Sequence, residues 1–168
     1  DASWDSAPGF NDANSWNFNI NVTDSGGWYD SVDDEFGVYR YTYVYAETNP
    51  KGTGSPGDTV PMSSSTLHYR TNDAFRLNVS ISDLTSGLGT ITADNVWVMG
   101  GNIAAFSQFG GAGITNAQWI YGSSSNYEAA PLNGVEQSIT IDWQVYIPPG
   151  TLGGTTYTAP VTYWISQG

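Results

Sequence analysis

Residues 139–150 read Ile-Thr-Ile-Asp-Trp-Gln-Val-Tyr-Ile-Pro-Pro-Gly, and this stretch decides the class of fold. Ile139, Ile141, Trp143, Val145 and Ile147 alternate with Thr140, Asp142, Gln144 and Tyr146, a period of two that gives a strand one apolar and one polar face. Pro148-Pro149-Gly150 stops it, since prolines lack the N–H groups a ladder needs. Downstream, Thr156 to Ile165 predicts a closing strand, and Pro160 within it points to an edge position or a bulge.

Upstream the same signal recurs. Phe75 to Ser82 predicts a strand with Phe75, Leu77, Val79 and Ile81 inward, and shorter strands are predicted at Thr66 to Arg70, Asn95 to Met99 and Gln118 to Tyr121. Val38 to Ala46 places Tyr39, Tyr41, Tyr43 and Tyr45 on one face, opposite Val38, Arg40, Thr42 and Val44. The cleanest alternation lies near the start, where Trp16, Phe18, Ile20 and Val22 are interleaved with Asn17, Asn19 and Asn21. Thr23 to Phe36 reads as an acidic loop, Thr48 to Ser65 as a long Pro/Gly/Ser loop, and Gly100 to Gly113 gives no assignable element. No segment keeps a helical period for three turns, and β-branched and aromatic residues dominate the periodic stretches. The expectation is an all-β fold, an antiparallel two-sheet β-sandwich of Ig-like or jelly-roll type. An extended leader and strand over residues 1–22 would precede a sandwich domain over residues 23–168.

Composition narrows the function classes. The 168 residues fit one domain, which buries roughly 70% of the surface its unfolded chain exposes. Sixteen acidic residues face only Arg40, Lys51, Arg70 and Arg76, a net charge of -12. That is too few cations to neutralise a run of phosphates, so nucleic acid is excluded as a partner, and an anionic membrane surface is disfavoured. No apolar run approaches the roughly 18 residues of a membrane span. Polar uncharged residues with 7 Trp and 11 Tyr are the look of an extracellular β-protein. Asp1 at the start, without Met, is the expectation for a secreted or cell-surface protein in its mature form after signal-peptide removal.

A catalytic apparatus is not evident, and no catalytic residue is assigned. His68 is the only histidine, cysteine is absent, and there is neither a Gly-x-Ser-x-Gly elbow nor a phosphate-cradling motif. A small glycosidase would need two carboxylates across a cleft; Asp142 or Glu128 supplies one, and spacing places no second.

The ending from Ile147 to Ile165, with Pro148-Pro149-Gly150-Thr151 and then Tyr157 to Tyr163, resembles the closing strand pair of prokaryotic secreted sandwich domains found in pilins, sheath and biofilm-fibre subunits and adhesins. Together with the leader and the isolated amphipathic strand, the chain is similar to fibre subunits that polymerise by donor-strand exchange. There, an N-terminal strand completes a neighbour's sheet through backbone hydrogen bonds and side-chain pockets. The resemblance implies a homopolymer and a donor-strand interface at Trp16, Phe18, Ile20 and Val22. Spacing alone equally allows this strand to pair within its own domain. The other functional reading is a secreted carbohydrate-binding module or adhesin, for which the tyrosine row would be a sugar platform and core packing the bland alternative.

Two further features carry chemistry. Asp24, Asp30, Asp33, Asp34 and Glu35 concentrate carboxylates in the acidic segment, a candidate Ca²⁺ site by ligand type or else a solvated loop, and no cofactor is required. Asn21-Val22-Thr23 and Asn78-Val79-Ser80 are glycosylation sequons on the polar sides of their strands, so glycans attached at Asn21 and Asn78 would point outward.

Overall fold

The computed structural model describes residues 15–37, 40–110, 117–131 and 135–168, with side chains in the first stretch described only over residues 20–31. The chain divides into two units, Asp1–Arg40 and Tyr41–Gly168.

The N-terminal unit is a hairpin of β1 (Ser15–Thr23) and β2 (Tyr29–Gly37), antiparallel and in continuous register from Ser15 opposite Gly37 to Thr23 opposite Tyr29. Its turn is built by Asp24, whose carboxylate Oδ1 accepts from the backbone N–H of Gly26 at 2.8 Å and of Trp28 at 2.9 Å, while Gly27 takes φ +82°. This corrects the reading of Thr23 to Phe36 as a loop. Acidic residues are poor strand formers, so propensity hid β2; the nine-residue partner strand overrides it.

The second unit is a β-sandwich. Its strands are β3 (Thr42–Ala46), β4 (Thr59–Pro61), β5 (Ser65–Thr71), β6 (Phe75–Ile81), β7 (Leu84–Ser86), β8 (Gly89–Ile91), β9 (Val96–Gly100), β10 (Ile103–Gln108), β11 (Ala117–Tyr121), β12 (Gln137–Tyr146) and β13 (Val161–Gln167). One sheet runs β10-β9-β12-β5-β3, with β4 continuing the line of β5 along β12; the other runs β11-β6-β13, and β7-β8 is a small hairpin. All these pairings are antiparallel.

The core lies between the sheets. Phe75, Leu77, Val79 and Ile81 of β6 face Leu67 and Tyr69 of β5, Val96 and Val98 of β9, and Ile141, Trp143 and Val145 of β12, all buried in one cluster. Each such side chain contributes roughly 1.5–3 kcal/mol by leaving water. Trp143 stacks on Phe109 at 5.8 Å, and its indole N–H donates to the buried Ser65 hydroxyl at 3.1 Å, so its one polar atom is satisfied. Tyr69, Phe75 and Tyr121 form a second aromatic group with centroids 5.2 to 5.8 Å apart.

The inward residues of β6 and β12 are those expected from spacing. The stop after β12 is a turn in which Thr151 N–H donates to Pro148 C=O at 3.1 Å, with Gly150 at φ +88°, as a proline-glycine corner requires. The unassigned glycine-rich run contains β10, entered through Gly101 at φ +57°; a Cβ there would sit 2.4 Å from Ile120 C=O. The long loop before Ser65 contains β4, and the closing strand begins at Val161, immediately after Pro160, on the edge of its sheet.

Candidate functional site

The N-terminal hairpin presents β1 with its apolar row only partly accounted for. Ile20 and Val22 are 41% and 61% exposed, and Trp28 and Tyr29 beside the turn are also exposed. The side chains of Trp16 and Phe18 lie outside the described residues; their backbones pair with Phe36 and Asp34. Among the described residues, β1 has one partner strand, β2, and two-stranded ribbons are marginal in water without a third strand or a packed layer.

The acidic residues grouped by sequence lie on the hairpin's turn and on β2. Asp24 spends its Oδ1 on the turn, Asp30 Oδ1 accepts from Ser31 N–H at 2.9 Å, and Asp33, Asp34 and Glu35 are consecutive positions of β2 opposite Asn19, Phe18 and Asn17. No group of three or more acidic or histidine side chains arranged to hold a metal occurs among the described residues. Asn21 is exposed on β1 opposite Ser31, and Asn78 lies at the middle of β6 on its outward side.

Within the sandwich unit, an open cavity of about 690 Å³ separates the segment Asn49–Thr53 from the segment Thr156–Val161 and reaches Met62, Ile81, Leu84, Val96 and Trp143. Its position follows from the two edge strands. At one end, the side-chain amide of Gln167, the last residue of β13, donates to Tyr41 C=O at 2.8 Å and to the Thr71 hydroxyl at 3.2 Å, closing the sheets. At the other end, the chain leaves β3 through Pro50 and Gly52 and enters β13 through Pro160, and the sheet edges part over core side chains. Sequence reasoning missed this groove, because its walls come from segments about a hundred residues apart that carry no shared pattern.

The tyrosine row turns outward. Tyr43 and Tyr45 of β3 are exposed while Val44 and Ala46 pack against the core, so packing in the core does not explain the row. Tyr39 lies outside the described residues. Register places Tyr45 opposite His68 and Tyr43 opposite Arg70. Tyr45 stacks on the His68 ring at 4.9 Å and lies 6.2 Å from Tyr43, and Arg70 covers the Tyr41 ring at 5.1 Å while its Nε donates to the Tyr41 hydroxyl at 3.1 Å. Glu136 ties the group together. It accepts a short hydrogen bond from the Tyr43 hydroxyl, and its Oε1 is 3.1 Å from His68 Nδ1. His68 Nε2 is 3.0 Å from Glu47 Oε1, although the approach is off the hydrogen-bond direction. The Tyr43 bond holds the Glu136 carboxyl below the usual carboxylate range, with His68 adding to it; the same bond raises the Tyr43 hydroxyl, and burial followed by Glu136 raises Tyr45.

The geometry therefore defines an all-β sandwich with a separate N-terminal hairpin, an open apolar groove and an aromatic-acidic outer face. No protein family, no curated protein and no solved structure matches this chain. The described residues contain no helix long and apolar enough to cross a membrane.

Proposed function

We propose that the protein is a structural subunit of an extracellular filament, in which Trp16 to Val22 of one copy enters the groove of the next. The observation that carries this reading is a strand with exposed apolar residues in a chain whose sandwich has an open groove: β1 lies in the N-terminal unit with Ile20 and Val22 exposed, and the groove between Asn49–Thr53 and Thr156–Val161 reaches core side chains. A nine-residue strand spans about 30 Å and can exchange its ladder with β2 for a ladder on a new edge, so hydrogen bonds are traded while apolar side chains leave water. The interleaved Asn17, Asn19 and Asn21 bring no charge to be desolvated.

Deletion of residues 1–22 tests it. The truncated protein is expected to stay a soluble monomer by light scattering and electron microscopy, and a peptide of residues 15–23 is expected to bind it and to cap growing filaments of the full chain. Filaments of unchanged morphology from the truncated protein would sink the proposal.

The carbohydrate-binding or adhesin reading draws on a different observation, the outward Tyr41, Tyr43 and Tyr45. Glycan binding lost in Tyr43→Ala with Tyr45→Ala, in a protein that never polymerises, would favour it. A requirement for Ca²⁺ in either activity is tested by chelation.

A further inference from the structure

The outer face of the β11-β6-β13 sheet is organised around Asn78. Direct antiparallel partners project to the same side of a sheet, and Asn78 is opposite Trp119 on β11 and opposite Trp164 on β13. The row across the sheet is thus Trp119, Asn78, Trp164, with neighbouring strands about 4.8 Å apart and the two indoles anchored about 10 Å apart. Leu77 and Val79 on either side of Asn78 are fully buried, which fixes the Asn78 side chain outward. Ser80, the third residue of the sequon, lies on the same outward face.

The surroundings are held in place. Arg76 lies over the Trp119 ring at 5.6 Å and over the Tyr127 ring at 4.8 Å, donates from Nε to the Ser166 hydroxyl at 3.0 Å, and donates from Nη1 to Ser124 C=O at 2.8 Å. The Asn78 amide enters none of these bonds. Trp164 remains 64% exposed on a strand whose apolar partners face the core, so a large apolar surface stands in water beside an acceptor asparagine. The second sequon differs in setting: across the β1–β2 ladder, Asn21 is opposite Ser31 rather than a tryptophan.

We infer that Asn78 carries an N-linked saccharide whose first pyranose lies against the indole of Trp164 or Trp119. The polarised C–H groups on one face of a pyranose meet the electron-rich face of an indole, and the ring's hydroxyls reach the outward hydroxyls of Ser80 and Thr162, which are opposite one another in the register. An external glycosyltransferase makes the bond. Nδ2 of Asn78 attacks the anomeric carbon of a sugar carried on a phosphate leaving group, the carbon–oxygen bond to phosphate breaks, phosphate departs with the electron pair, and Nδ2 gives up one proton to a base of the enzyme. This inference is independent of filament formation.

The test uses native protein and two variants expressed in the same host. Glycopeptide mass spectrometry is expected to find a hexose- or hexosamine-based glycan on Asn78, absent from Asn78→Gln and from Ser80→Ala, which keeps the asparagine and breaks only the sequon. Hydroxyl-radical footprinting read residue by residue is expected to show oxidation of Trp164 rising severalfold in both variants, with buried Trp143 unchanged as the control for folding. An unmodified Asn78 in native protein overturns the inference, and binding of free oligosaccharide by such unmodified protein would make the face a ligand site instead. A modified Asn78 with Trp164 and Trp119 oxidised equally in all three proteins also overturns it.

Discussion

β1 and β12 carry the same sequence signature and meet different surroundings. Both alternate apolar and polar residues over their length, yet Ile141 and Trp143 of β12 are sealed beneath β6 and its neighbours, whereas Ile20 and Val22 of β1 stand in a two-stranded ribbon with much of their surface in water. Alternation specifies that one face is apolar. Burial requires a second layer, which β6 and its neighbours supply to β12. The contrast is what motivates the proposal that β1 enters another copy of the chain.

The largest effect should come from breaking the buried side of this comparison. Trp143→Ala removes the stack on Phe109 and the indole N–H that donates to the Ser65 hydroxyl, and should cost about 3–5 kcal/mol in urea unfolding of the monomer. Ile139→Ala, toward the less buried start of the same strand, should cost less, giving a gradient along β12 that tracks burial. If Ile20→Ala combined with Val22→Ala destabilised the monomer as strongly as Trp143→Ala, the two strands would be alike and the contrast would fall.

An intermediate case is the outer face of β3, where side chains are exposed but tethered. Glu136 is held below the usual carboxylate range, first by the Tyr43 hydroxyl, so its charged form is favoured in the folded protein. Its contribution to stability is therefore present above the unfolded value of about 4.3 and is lost as pH falls through the lower folded value. Tyr43→Phe should raise the Glu136 carboxyl toward its ordinary range, seen in the carboxyl carbon shift by NMR, and should flatten the acid limb of stability below about pH 4.3. An unmoved carboxyl shift would show that the Tyr43 bond does not hold Glu136. The smallest effect on the monomer is expected for Ile20→Ala with Val22→Ala, within about 0.5 kcal/mol, whereas the proposed function requires that the same pair abolish filament assembly. That separation of stability from assembly is the sharpest form of the comparison.

Legibility followed the same physics. The inward faces of β6 and β12 were readable, though not their exact ends, because a half-buried strand writes its period into its own side chains. β2 was hidden because Asp33, Asp34 and Glu35 are strand positions by virtue of pairing with β1, against their own propensity. β10 was hidden by Gly100 and Gly101, whose role is to turn the chain tightly between β9 and β10. The outward direction of the tyrosine row was ambiguous from spacing, because Val44 and Tyr45 are both acceptable on a core face. Pairing with β5 resolved it by setting Tyr45 against His68.

Composition and periodicity were sufficient for the β class, the inward residues of the central strands, the proline-glycine stop after β12 and the two sequons, since each is a local property of consecutive residues. The groove between Asn49–Thr53 and Thr156–Val161, the tie from Glu136 to Tyr43 and His68, and the row of Trp119, Asn78 and Trp164 belong to another level. They join residues tens to a hundred positions apart, and such neighbours exist only once antiparallel pairing and the stacking of two sheets have chosen the register.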